Sequence, residues 1–247
     1  MESNPTDQTQ ESFILLPPNS NFIYQTQKGR PVAVYHIDRT LDSLTHTDSA
    51  IHFDRVGKDN DSTALFDKEV NRRTRLFNLV HPVNAAYRKD EIPGSYYMTA
   101  SSSNVRPSPG NWALETPPRS TLGLGGGKFE FYWSAGSTES SSPLFNWDDT
   151  TARPLFTATS KPVLSLGRGG GCVLWHSFGK EIAREEKEAL TLEEGSAATT
   201  GNNNVPCYKM TITLQNREWV DTLVALWVLR LWHDIAEDSG FKRRGQY

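Results

Sequence analysis

The chain has 247 residues, a hydrophobic fraction of 36% and a formal net charge of −3, which allow one sizeable domain with a substantial core and generous loops. A charge balance this close to neutral provides no basic face for nucleic acid, so we exclude a nucleic-acid partner. Two cysteines, Cys172 and Cys207, cannot form a disulfide framework or a zinc site of their own.

The two ends of the chain are polar and differ from the middle. We expect residues 1–12 to form a disordered tail, residues 13–238 to form one domain, and residues 239–247 to form a basic tail. No basic and apolar leader is visible, so we expect an intracellular protein with free cysteines. Its location would be cytoplasmic or peripheral to a membrane.

Apolar residues alternate with polar ones in much of the chain, a pattern typical of strands with one face on a core. The clearest segments are RPVAVYHI (30–37), RLFNLVH (75–81), KFEFYW (128–133) and CYKMTITL (207–214). Stretches rich in Gly, Ser, Asn and Pro lie between them and indicate surface loops. The sequence therefore predicts an antiparallel sandwich or barrel.

The charged segment GKEIAREEKEALTLEE, residues 179–194, departs from this alternation. Its residues are good helix formers, so propensity predicts a helix. Its apolar positions form only a thin row, and a solvent-exposed strand stays open as the alternative.

A helix is also predicted for residues 216–238, NREWVDTLVALWVLRLWHDIAED. Asn216 is a suitable N-cap, and the apolar residues point in nearly every direction around the axis. Asp221 and Arg230 interrupt the apolar run, which is shorter than the roughly 20 residues that a bilayer span needs. We therefore expect no transmembrane span. The predicted fold is mainly β: an antiparallel β-barrel or sandwich that encloses, or packs on, a hydrophobic C-terminal α-helix.

Residues 20–238 resemble the tubby C-terminal-like superfamily, which includes tubby, the LURP-one-related proteins and the phospholipid scramblases. The resemblance lies in the order of five segments: KFEFYW, ARPLFTA, CVLWH, YKMTITL and the closing WVDTLVALWVLRLWHD. It implies strands closed around the last helix, and binding to phosphoinositides or membranes in place of catalysis. The calcium-site pattern and the acylated cysteine cluster of the scramblases are not visible here.

The densest basic cluster inside the domain is Asn71-Arg72-Arg73-Thr74-Arg75. We expect Arg72, Arg73 and Arg75 to contact an anionic ligand, with an anionic phospholipid headgroup or a protein partner as candidates. A solvated basic loop is the structural alternative for these arginines. A scaffold whose long loops carry partner contacts is a further functional alternative.

The glycine runs at 123–127 and 167–171 do not match a nucleotide-binding loop. A phosphate-binding loop needs Ser or Thr after the Gly-Lys pair, and Phe129 stands there. Both runs lead into predicted strands, where glycine serves turns or bulges; Arg168 between glycines leaves an anion nest open. We predict no cofactor.

No coherent catalytic set is visible either, which favours a binding module over an enzyme. Cys172 and His176 share a strand face but lie about 13 Å apart. The rival hypothesis is a hydrolase or metal-dependent enzyme assembled by folding from His36, Asp38, His46 and Asp48, which belong to three H-x-D pairs with His52 and Asp54. Their spacing matches no metal-binding motif, so we predict no metal site.

Two of the seven tryptophans, Trp112 and Trp147, fall in predicted loops. They are the candidates for stacking on a ligand. Core filling is the expected role of the others.

Overall fold

The structure is a computed structural model of the chain. It describes residues 11–15, 20–27, 30–40, 50–57, 73–81, 96–101, 111–115, 127–134, 153–160, 172–191 and 204–244.

Twelve strands and one helix lie in these ranges. The strands are β1 (Glu11–Leu15), β2 (Phe22–Gln27), β3 (Arg30–Ile37), β4 (Ala50–Val56), β5 (Arg73–Val80), β6 (Tyr96–Ala100), β7 (Asn111–Glu115), β8 (Lys128–Ser134), β9 (Phe156–Ser160), β10 (Cys172–Ser177), β11 (Lys180–Thr191) and β12 (Asn204–Ile212). The helix α1 spans Arg217–Arg244. β1 thus includes Glu11 and Ser12, and α1 includes residues 239–244, all of which the sequence assigns to tails.

The strands form a closed barrel in which each pairs antiparallel with the one before it in the chain. β1 pairs with β12 as well as with β2, which closes the sheet. Closure leaves no free edge strand in the sheet. The prediction of an antiparallel β fold with a C-terminal helix is confirmed, and of its two forms the barrel is the one observed.

Because successive strands run in opposite directions, the two ends of the barrel carry different connections. One end holds the start of α1, the start of β5, the turn between β2 and β3, and the turn between β10 and β11. We call it the helix-start end. The helix follows β12 there and runs towards the opposite end.

The interior of the barrel is occupied by α1. Every residue from Val220 to Trp232 is at most 3% exposed. The helix meets strands from different sides of the barrel: Trp219 contacts Trp112 of β7, Trp232 contacts Tyr96 of β6, and Asp221 contacts Tyr35 of β3. A helix that is buried in all directions and touched from several sides is enclosed. The expected N-cap is also present, because the Asn216 side chain accepts hydrogen bonds from the backbone N–H groups of Glu218 and Trp219.

The helix predicted for residues 179–194 is wrong; the described part of this segment is strand β11. Its backbone pairs with β10 on one side and with β12 on the other. Ile182, Ala183 and Glu185 are buried, while Arg184 is exposed. Pairing with two neighbours outweighs helix propensity, and the strand alternative of the sequence is the one observed.

The prediction of a loop around Trp112 is also wrong. Trp112 lies on β7, is fully buried and stacks on Phe156 at a ring distance of 5.3 Å. Trp147 lies outside the described residues. Trp112 therefore fills the core and offers no surface to a ligand.

Candidate functional site

Two of the three predicted arginines lie on a strand and not in a loop. Arg73 and Arg75 belong to β5, and Arg72 lies outside the described residues. Across the neighbouring strands, Arg75 is opposite Asp54, Asp54 is opposite His36, and His36 is opposite Phe22. Residues directly opposite each other share one face of a sheet. We call Phe22, His36, Asp54, Arg73 and Arg75 the arginine patch.

A β-bulge directs the arginines outward. Phe77 of β5 points into the core and is opposite Phe53 of β4. Strict alternation would place Arg75 and Arg73 on the same inward face as Phe77. The register shifts between Phe53 and Asp54, so that Arg75 is opposite Asp54 and Leu76 is the additional residue. The two arginines therefore lie on the outer face, as bulges commonly allow.

Arg75 is held by a buried carboxylate. Its Nε donates to Asp54 Oδ1 over 2.9 Å, and Asp54 is only 6% exposed. The Arg75 side chain keeps 37% of its surface exposed. This pair is close to neutral as a unit, so Arg75 adds donors to the surface but little net charge.

Arg73 carries the uncompensated charge of the patch. Its guanidinium lies over the Phe22 ring, 5.6 Å from the ring centre, and the side chain is exposed. Among the described residues no carboxylate lies within ion-pair distance of it. The aromatic ring holds the cation in place without neutralising it.

His36 lies beneath this charge, in surroundings that disfavour its protonated form. Burial lowers the pKa of His36 below 6.5, and the positive charge of Arg73 lowers it further, while Asp54 opposes both effects. The ring Nε2 is 2.9 Å from Asn21 Nδ2, and Nδ1 is 3.6 Å from Asp54 Oδ2. Since an amide nitrogen can only donate, Nε2 accepts and the ring proton lies on Nδ1, facing Asp54.

The H-x-D pairs do not assemble into a metal or catalytic centre in the described part of the chain. Each described histidine meets the aspartate of the other H-x-D pair and not its own. His36 faces Asp54, while the backbone N–H of His52 donates to Asp38 Oδ1 over 2.9 Å. His46 and Asp48 lie outside the described residues. No group of three or more potential ligands (His, Cys, Asp or Glu) occurs within the described ranges.

Two clusters of buried charge lie inside the barrel, and both are compensated. Near the start of α1, Asp221 accepts from Tyr35 Oη over 2.6 Å and pairs with Arg55 and with Arg217. Burial raises the pKa of Tyr35 to about 12, although both arginines oppose that rise.

The second buried cluster lies two to three turns further along α1. Arg230 pairs with Glu185 of β11 and with Asp234, whose Oδ2 is 2.6 Å from Nη1. Burial raises the pKa of Glu185, and the charge of Arg230 opposes this effect. Asp221 and Arg230, which interrupt the apolar run in the sequence, therefore attach α1 to the barrel wall.

A shallow polar groove of about 330 Å³ lies on β11 and β12. Its charged lining is Glu181, Arg184 and Glu186, and Arg184 Nη2 lies 3.2 Å from Glu181 Oε1. The groove thus has more acid than base and does not suit an anion.

The remaining sequence candidates add no site. Cys207 is buried and Cys172 is half-buried on β10, and within the described residues neither forms a disulfide. Gly127 directly precedes strand β8, which confirms that the first glycine run leads into a strand. The run at 167–171, with Arg168, lies outside the described residues.

Comparison with known proteins gives no match: no family model, no curated protein and no solved structure is significantly similar to the chain. Within the described residues, no helix has the length and apolar character that a membrane span requires.

Proposed function

We propose that the protein is a non-catalytic binding module that recognises the phosphate of an anionic phospholipid headgroup through Arg73 and Arg75. One observation carries the proposal: the exposed guanidinium of Arg73 has no carboxylate partner among the described residues, and the Phe22 ring fixes its place. Arg75 lies two residues along the same face and supplies planar donors suited to phosphate oxygens.

The filled interior supports a surface site. Barrels that carry a small ligand commonly enclose it, but here α1 takes up that space. A ligand must therefore bind to the outside of the wall. The described His and Asp residues are engaged within the sheet, since His36 lies beside Asp54 and the backbone N–H of His52 donates to Asp38 Oδ1. This arrangement supports binding over hydrolysis. The tubby-like resemblance points to the same class of ligand, and membership in that superfamily stays a prediction.

The proposal is tested by cosedimentation with vesicles of phosphatidylcholine alone or with added phosphoinositide. We expect binding to the anionic vesicles that weakens with added salt. Arg73→Gln should weaken it about fivefold, because one cation near an anionic surface contributes about 1 kcal/mol.

Arg184→Gln is the matched control. It removes the same charge from an exposed arginine of β11, a strand distant from β5 around the barrel. Equal weakening by both variants would show a general effect of net charge and contradict the site. Absence of binding to any anionic vesicle would contradict the function, and the protein partner would then become the leading candidate.

A further inference from the structure

The turn between β10 and β11 has an unusual residue in a strained position. Phe178 and Gly179 form a two-residue hairpin loop with φ angles of 49° and 79°. Two positive φ values identify a type I′ turn, in which Asn-Gly is the preferred pair. Glycine adopts such angles freely, but a bulky aromatic residue does so only at an energetic cost. Phe178 is the one non-glycine residue with positive φ in the described part of the chain.

The same side chain is left in solvent. Phe178 is 86% exposed, and it is the only large hydrophobic side chain among the described residues that is exposed. It therefore gains no packing within the barrel in return for its strained backbone. A position where folding favours a small polar residue carries a large apolar one, and such a conflict points to a role outside folding.

Two exposed basic residues lie close to the turn along the chain or across the sheet. Lys180 follows the turn directly, is exposed, and makes no ion pair within the described residues. Arg153 is exposed two residues before Leu155, whose carbonyl accepts from Ser177 Oγ at the base of the turn. An exposed aromatic flanked by basic side chains complements an anionic bilayer, since aromatic rings favour the headgroup level and cations favour anionic lipid.

The turn lies at the helix-start end of the barrel, where β5 also begins with Arg73. The β10–β11 turn and β5 are on different sides of the barrel, separated by β9 to β6. A flat membrane that meets this end can therefore reach both. This common end makes a bilayer a better fit than a pocket on a small protein partner.

We propose that the Phe178 turn inserts into the interface of an anionic phospholipid bilayer and anchors the helix-start end of the barrel to it. This inference rests on the proposed function and adds a second, apolar contact to the headgroup contact of Arg73. The strain of the turn is retained because Asn at position 178 would have no apolar side chain to insert.

The experiment compares Phe178→Asn and Phe178→Trp with the full-length wild type. Phe178→Asn relieves the strained position, so its melting temperature should equal or exceed that of the wild type. Binding to vesicles of phosphatidylcholine with phosphoinositide should weaken about tenfold in Phe178→Asn, the loss expected from a partly buried aromatic ring. Phe178→Trp should bind at least as well as the wild type.

A soluble probe separates the two proposals. Inositol trisphosphate carries the phosphates without a bilayer, so Phe178→Asn should bind it as the wild type does, while Arg73→Gln should bind it more weakly. Wild-type vesicle binding by Phe178→Asn would overturn the anchor and leave the headgroup site standing. Equally weak vesicle binding by the Asn and Trp variants would also overturn the anchor. Failure of the wild type to bind anionic vesicles would overturn both.

Discussion

Arginines occur in two contrasting settings in this protein. Arg230, inside the barrel, is 3% exposed and pairs with two carboxylates, whereas Arg73, outside it, is exposed and rests on an aromatic ring. A buried charge must be compensated to be tolerated, so its partners belong to the fold. A cation left uncompensated on the surface contributes little to folding and is free to meet an anion. The contrast separates the charge that the fold requires from the charge that is available for the proposed binding.

The largest effect is expected from removing the structural charge. Arg230→Met leaves Glu185 buried without its cation, and we expect the free energy of unfolding to fall by about 3 kcal/mol. Thermal or urea unfolding at neutral pH measures it. A loss well under 1 kcal/mol would contradict the structural role, while Arg73→Gln, the surface counterpart, should remain within about 0.5 kcal/mol of the wild type.

The loss in free energy of unfolding caused by Arg230→Met, called the deficit below, should depend on pH. Without Arg230, burial acts on Glu185 with less opposition, and the pKa of Glu185 in the folded state rises further above 4.5. A folded-state pKa above the unfolded value means that stability is lost as pH rises through this window. The deficit should therefore shrink towards pH 4.5. The double variant Arg230→Met/Glu185→Leu removes both charges, and should recover most of the stability and lose this pH dependence.

A smaller loss of stability is expected for Arg75, whose setting is intermediate between those of Arg230 and Arg73. Arg75→Gln removes the partner of Asp54, which is 6% exposed, but the arginine itself is partly solvated. We expect a loss of about 1 kcal/mol in urea unfolding, between the values for Arg230 and Arg73. Asp54→Asn in the Arg75→Gln background should restore part of it. A loss as large as that of Arg230→Met would place Arg75 with the structural charges.

Much of the core could be predicted from the sequence, because the inward positions of regular strands follow a period of two. Phe77, Leu79 and Phe131 are buried as their alternation indicates. The direction of Arg73 and Arg75 could not be predicted, since the bulge opposite Asp54 depends on the partner strand. The sequence identifies these arginines as a basic cluster, but it does not show on which face of the sheet they lie.

Two further features show where local sequence information ends. β11 consists of helix-forming residues, but it pairs with β10 and β12. This pairing depends on distant parts of the chain, so helix propensity alone cannot predict it. The Phe178 turn did have a signal: a glycine at the second position of a short gap between CVLWH and the next segment. Recognition of that hairpin would have predicted both the strand nature of β11 and the strained position of Phe178.

The most direct test of the central claim is the pKa of His36 measured by NMR with and without inositol trisphosphate, with the resonance assigned through His36→Gln. Burial and then the charge of Arg73 lower that pKa. A phosphate seated on Arg73 offsets its charge, so the pKa of His36 should rise when the ligand binds, and the rise should be absent or much smaller in Arg73→Gln. An unchanged pKa in a wild type that binds the ligand, or an equal rise in Arg73→Gln, would contradict recognition of the phosphate at this patch.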